Sequence, residues 1–162
     1  MKILFVCTGN TCRSYMAETI ARSYIKGLQC REEVHFLSAG IYCPDGEPAA
    51  ANARAVLVEM GYQNDRHLTR SLNRSIITEV DLILVMTRSQ LESILEEIPE
   101  AEGKIYLLKD YALQEQHILE KLQSPDIMDP FGGGIENYRL CAQEIEGYIA
   151  KAIDRCLKNN KK

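Results

Sequence analysis

The stretch Cys7-Thr8-Gly9-Asn10-Thr11-Cys12-Arg13-Ser14 decides how the rest of the chain is read. It follows the apolar run Ile3-Leu4-Phe5-Val6, a short buried strand by its length and β-branched content, and precedes Tyr15 to Leu28, where apolar residues recur at helical spacing. A strand, a tight turn and a helix therefore meet within eight residues. Gly9 and Asn10 tolerate positive φ, so the turn can curl until successive backbone N–H groups converge. The new helix aims its own unpaired N–H groups at the same point. The expected result is an anion site.

Two side chains give that site a chemical direction. Arg13 offers a planar fork of donors suited to phosphate oxygens. Cys7 stands at the mouth of the concavity, where the guanidinium and the positive end of the helix favour its thiolate. A thiolate facing a bound phosphoryl group is a nucleophile placed for attack. A lone cysteine there would read as a small apolar residue ending a strand, and a lone arginine as a surface charge. Cys-x5-Arg-Ser between strand and helix favours the chemical reading.

Working outward, Val34 to Leu37 reads as a second strand ended by Ser38-Ala39-Gly40. Residues 41–48, with Tyr42, Pro44 and Gly46, form a loop, and Ala49 to Met60 is a helix stopped by Gly61. Tyr62 to Asn73 is polar and irregular, and Ser75 to Glu79 is a short helical turn. The near-continuous apolar run Asp81 to Met86 suits a strand covered on both faces. A helix from Ser89 to Glu97 ends before Pro99, and Ile105 to Leu108 is a fourth strand. Asp110 to Gln123 mixes loop and weak helix, and Asp129-Pro130-Phe131-Gly132-Gly133-Gly134 is a break. One long amphipathic helix follows from Ile135 to Leu157. Alternating strands and helices predict an α/β fold: a four-stranded parallel sheet flanked by helices on both faces, with ligands at the carboxyl ends of the strands.

With 162 residues, 46% of them apolar, the chain is expected to be one domain over residues 1–162 with a real core. A net charge of −4 and a pI near 5.5 leave no basic footprint for nucleic acid. Lys158, Lys161 and Lys162 read as a solvated helix end. The N-terminal apolar run is too short for a signal peptide and no stretch approaches a membrane span, so a cytoplasmic protein without membrane association is expected. The six cysteines, at 7, 12, 30, 43, 141 and 156, contain no Cys-x2-Cys pair and are expected to be mostly free thiols. No histidine or cysteine cluster has metal-ligand spacing, and the loop lacks the nucleotide-binding Gly-x4-Gly-Lys pattern, so neither metal nor cofactor is expected.

The Cys7–Ser14 motif near the N-terminus, together with Asp129-Pro130-Phe131 near the C-terminus, resembles the low-molecular-weight protein tyrosine phosphatase family over essentially the whole chain. The resemblance implies that family's fold, with its flavodoxin-like winding, and a cofactor-free monomer. It implies that Cys7 attacks phosphorus to form a phosphocysteine while Arg13 and the amides of Thr8, Gly9, Asn10, Thr11 and Cys12 hold the phosphate oxygens. Ser14 would hydrogen-bond the thiolate, and Asp129 would act as general acid and then base. Asp126 is the competing acid. Pro130 restricts the backbone of Asp129 and so helps aim its carboxylate. The products would be a dephosphorylated protein and inorganic phosphate.

Within the family, Thr11 stands where tyrosine phosphatases commonly carry a branched aliphatic residue, and Phe131-Gly132-Gly133 replaces an aromatic pair. Both features look like the protein arginine phosphatase branch. Phosphotyrosine presents an apolar ring, whereas phosphoarginine presents a polar guanidine whose N–H groups need acceptors, which a threonine hydroxyl can supply. The leaving group points the same way: phenol has a pKa of about 10 and guanidinium lies above about 12, so expelling nitrogen requires protonation. The expectation is a phosphoarginine phosphatase, with phosphotyrosine as the alternative substrate class.

Tyr42 and Phe131 are candidate pocket walls, and Tyr15, where the family often has proline, is a candidate for the pocket rim or for surface packing. The curl of the loop should bring Cys12 near Cys7, and the resemblance implies a reversible disulfide between them. It also implies a hydrogen-bond network joining His67 and Asn10 to the loop. Related arsenate reductases need relay cysteines after the third strand, and this chain has no cysteine between Cys43 and Cys141. A binding module that senses phosphate or redox state and has lost turnover is the non-enzyme alternative, disfavoured by the presence of Asp129 beside Cys7 and Arg13.

Overall fold

A computed structural model of the chain describes residues 1–28, 33–63, 66–113 and 124–159. Its elements run β1 (Lys2–Cys7), α1 (Arg13–Gly27), β2 (His35–Gly40), α2 (Ala51–Glu59), α3 (Arg74–Glu79), β3 (Leu82–Val85), α4 (Arg88–Glu97), β4 (Ile105–Leu107), α5 (Leu108–Leu113) and α6 (Ile135–Asn159). The strands form one parallel sheet in the order β2-β1-β3-β4. Strand order reverses at β1, whose successors lie on either side of it. Such a switch point leaves a crevice beyond the strand's carboxyl end, which here is Cys7.

The two-residue period of β1 divides the interior. Ile3, Phe5 and Cys7 enter a core shared with α1, α2, α5 and α6, while Leu4 and Val6 enter a second core shared with α3 and α4. Each fully buried aliphatic or aromatic side chain contributes about 1.5–3 kcal/mol, and residues 3 to 6 are all at most 1% exposed. Helices therefore cover both faces, as the apolar runs predict. Among the described residues no helix is long and apolar enough to cross a membrane.

Several boundaries differ from the sequence reading. Helix α1 begins at Arg13 rather than Tyr15, which places Arg13 and Ser14 in the first turn beside the loop. Strand β2 continues through Ser38-Ala39-Gly40 because it pairs with β1 as far as Cys7 opposite Gly40. Leu108 opens α5 instead of ending β4, and α5 makes residues 108–113 regular helix. The rest of the segment expected to be weakly helical, 114–123, lies outside the described residues, as does Cys30. Met86 leaves β3 because the Gln90 side chain takes its N–H.

Two turns show their cause in the backbone. Helix α2 ends in a Schellman arrangement: Gly61 adopts φ +84°, its N–H donates to Val58 O, and Tyr62 N–H donates to Leu57 O. At Gly40, a Cβ would lie 2.7 Å from Cys43 Sγ, 2.9 Å from Thr8 O and 3.0 Å from Asn10 N. Only glycine lets the end of β2 approach the Cys7 loop so closely.

Candidate active site

The loop that follows β1 curls because Asn10 adopts φ 53°, a left-handed conformation open to asparagine among few non-glycine residues. That strained turn is held from three directions. Asn10 Oδ1 accepts the backbone N–H of Arg70 at 2.9 Å, and Asn10 O accepts from His67 Nε2 at 2.8 Å. A carbonyl only accepts, so the His67 hydrogen resides on Nε2. Burial lowers the pKa of His67 and favours this neutral form. From the residues just after β2, Ile41 N–H donates to Cys7 O and Tyr42 N–H to Thr8 O.

The third direction is α4. Gln90 is buried, its Oε1 accepts the N–H groups of Met86 (3.0 Å) and Thr87 (3.2 Å), and its Nε2 donates to Thr8 Oγ1 at 3.1 Å. The same residue completes the capping box with Thr87 that starts α4.

Cys7 is 2% exposed and its Sγ lies 3.0 Å from Ser14 Oγ. Asn10 Nδ2 donates to that same Ser14 oxygen at 2.9 Å. Because an amide N–H can only donate, the serine hydrogen is left to point at sulfur, where it stabilises a thiolate.

Arg13 is buried against the segment before α6. Its Nη1 donates to Ile127 O at 3.1 Å and its Nη2 to Asp129 Oδ2 at 2.6 Å, while Nε is buried with no partner among the described residues. An unpaired buried N–H costs about 1–3 kcal/mol, so its persistence beside a loop of converging amides fits a site built to take an anion. Asp129 Oδ1 accepts the N–H of Phe131 at 3.2 Å, which fixes the carboxylate at the start of the glycine-rich turn.

These groups surround a cavity of about 180 Å³ lined by Cys7, Thr8, Gly9, Thr11, Cys12, Arg13, Asp129 and Phe131. Other residues singled out in the sequence fall elsewhere. Asn10 and Ser14 do not line the cavity: their side chains are fully buried behind the loop and brace it from within. Tyr42 is 66% exposed and outside the cavity, because its backbone rather than its side chain engages Thr8. Tyr15 is at neither the rim nor the surface; it is 2% exposed and packs against His67 with ring centroids 4.6 Å apart and the ring planes tilted by 47°. Asp126 accepts the N–H of Arg88 at the start of α4 and does not line the cavity.

Cys12 lines the cavity as a free thiol, with Thr11 Oγ1 at 3.5 Å from its sulfur and its S–H donating to Tyr138 Oη at 3.6 Å. Burial raises the pKa of Cys12 and keeps it protonated. Gln90, Ile127 and Tyr138 had no signal in the sequence, since each acts on the loop through one contact made across the fold. A glutamine three residues after a threonine does signal the α4 cap, though not its second hydrogen bond.

The sequence model of the low molecular weight phosphotyrosine protein phosphatase family matches residues 2–162 of the chain. A protein-arginine-phosphatase of Geobacillus stearothermophilus is 34% identical over 95% of this chain and 95% of its own. The low molecular weight protein-tyrosine-phosphatase PtpB of Staphylococcus haemolyticus is 30% identical over 93% of this chain and 96% of its own. The solved arginine phosphatase YwlE of G. stearothermophilus superimposes with a TM-score of 0.84 at 34% identity, covering 98% of this chain and 94% of that one.

Proposed function

From the premise that the chain belongs to the low molecular weight phosphotyrosine protein phosphatase family, we propose that it hydrolyses phosphoarginine in proteins through a phosphocysteine intermediate. The observation that carries this reading is the single cavity in which Cys7, Arg13, Asp129 and the polar wall residue Thr11 converge.

The phosphoryl group enters against the loop amides and Arg13, whose Nε needs a partner and whose Nη2 exchanges Asp129 for a phosphate oxygen. The Cys7 thiolate attacks phosphorus, a P–S bond forms and the P–N bond breaks. Asp129 gives its proton to the departing guanidine nitrogen, which leaves as a neutral group and then protonates in water. In the second step Asp129 takes a proton from water, oxygen attacks phosphorus, and the P–S bond breaks to return the thiolate. Ser14 O–H stabilises sulfur both before attack and as it leaves. Inorganic phosphate is released, and no cofactor enters either step.

Thr11 sets the substrate class in this reading. Its side chain is on the cavity wall with Phe131 opposite the loop, so an incoming guanidine meets a hydroxyl acceptor and one aromatic face instead of an all-apolar collar. Tyrosine phosphatase activity with the same residues in the same roles is the second reading, favoured by the family's own description.

The test is to present purified enzyme with phosphoarginine and phosphotyrosine proteins and compare kcat/KM. A clear preference for phosphoarginine is expected, and a preference for phosphotyrosine overturns the assignment. Thr11→Ile is expected to move the ratio toward phosphotyrosine by about tenfold, the scale of one lost polar contact.

A further inference from the structure

A cavity several times larger than the one that holds Cys7 lies elsewhere among the described residues. A cleft of about 940 Å³ runs along β2, between α1 and the segment 66–70. One wall carries Arg22 and Lys26, one helical turn apart, and the other carries Arg66 and Arg70. The only carboxylate among its described lining residues is Glu18, and that group is already engaged: it accepts from Ser38 Oγ at 2.5 Å and from Arg22 Nε at 2.9 Å. The described lining therefore carries a formal charge of +3 (four cations and one carboxylate) on a chain whose net charge is −4. Lys26, Arg66 and the Arg70 side chain form no ion pair among the described residues. Facing walls with paired cations match an anion whose charge is spread along its length, and arginine forks suit phosphate oxygens in particular.

The cleft also touches the back of the Cys7 loop. His67 lines it and donates to Asn10 O, Arg70 lines it and its N–H donates to Asn10 Oδ1. Asn10 in turn bonds Ser14, which bonds Cys7. Three consecutive hydrogen bonds thus join the cleft wall to the nucleophile.

We propose that this cleft is a second anion site, which takes a small molecule bearing two or more phosphate groups and transmits its occupancy to Cys7 through Asn10. A free polyphosphate chain and a nucleotide di- or triphosphate share the chemistry. The inference stands on the cleft alone and is independent of which phosphorylated residue the enzyme hydrolyses.

Backbone-amide NMR titrations of the wild-type protein with tripolyphosphate, and separately with ATP, locate the site. Saturable shifts at Arg22, Lys26, Arg66 and Arg70 are expected, and they should require roughly tenfold more ligand in Lys26→Ala or Arg66→Ala, substitutions at surface positions that leave the loop contacts intact. Equal binding of both ligands identifies the phosphate chain as the recognised group, and tighter ATP binding identifies a nucleotide; either supports the site. Shifts confined to residues 8–13, or no saturation, overturn it. For transmission, saturating tripolyphosphate should alter kcat on an aryl phosphate in the wild type and not in the Lys26→Ala/Arg66→Ala double variant. Competition at the Cys7 loop would change KM alone, so an unchanged wild-type kcat overturns the coupling.

Discussion

The ion pair between Arg13 Nη2 and Asp129 Oδ2, at 2.6 Å, sets the proposed proton donor and the phosphoryl group in competition for one N–H. Replacing Asp129 by asparagine tests both sides of that competition, because the amide keeps an oxygen for Phe131 N–H while removing the charge. Arg13 is 4% exposed and Asp129 47%, so solvent screens the pair and its worth lies at the upper end of surface values, about 1 kcal/mol. Releasing Arg13 is then expected to tighten inorganic phosphate by roughly fivefold. Turnover on phosphoarginine should fall by about 10²–10⁴-fold, the usual contribution of general acid–base catalysis. With an aryl phosphate whose leaving group is a weak base, the loss should be smaller, since that group departs without a proton. Steady-state kinetics at pH 7, with phosphate as competitive inhibitor, measures all three. Weaker phosphate inhibition in Asp129→Asn, or equal losses on the two substrates, would refute the assigned role.

Burial depresses the pKa of His67 from 6.5, so the folded protein resists a proton that the unfolded chain accepts. Stability from this group is present above pH 6.5 and lost as pH falls below it; thermal melting from pH 7 to 5 should show wild type declining more steeply than His67→Gln, and parallel curves would remove His67 from the account. Gln90→Leu leaves the buried N–H groups of Met86 and Thr87 without their acceptor and should cost about 2–4 kcal/mol in chemical denaturation. Gln90→Glu, whose carboxylate can accept both N–H groups and the Thr8 hydroxyl, should recover part of that stability, offset by the cost of burying a charge. One equivalent of hydrogen peroxide should oxidise Cys7 to a sulfenic acid that Cys12 resolves as a disulfide with release of water; peptide mass mapping that finds Cys7 oxidised without a Cys7–Cys12 bond would exclude this protection.

The fold was legible in the sequence wherever a local pattern had a local cause. Four apolar runs became four strands, and Gly61 ended α2 through the positive φ that its lack of a side chain permits. The Cys7–Ser14 loop was legible because its turn residues and its candidate reactive residues are contiguous. What escaped was whatever depends on a partner distant along the chain. Tyr42 and Asn10 are both polar loop residues next to the site in sequence, yet one turns its side chain to solvent and the other is fully buried. Asn10 is drawn inward by Arg70, 60 positions away, and Tyr42 is held by its backbone alone. Gln90 escaped for the same reason: its contact with Thr8 spans 82 positions and follows no period.

Those distant contacts separate the residues that hold the loop from the residues that line the cavity. Ser14, Asn10, His67 and Gln90 contact the loop from behind, outside the cavity, so they fix Cys7 and the loop backbone whatever occupies the cavity. Thr11 and Phe131 are on the cavity side and hydrogen-bond to none of those four through their side chains among the described residues. Changing the wall therefore leaves the nucleophile's supports in place. Substitution at residue 11 is expected to leave those supports intact and alter only the cavity wall, whereas substitution at residue 10 should loosen the turn, the serine hydrogen bond and Cys7 together and lower activity on every substrate alike.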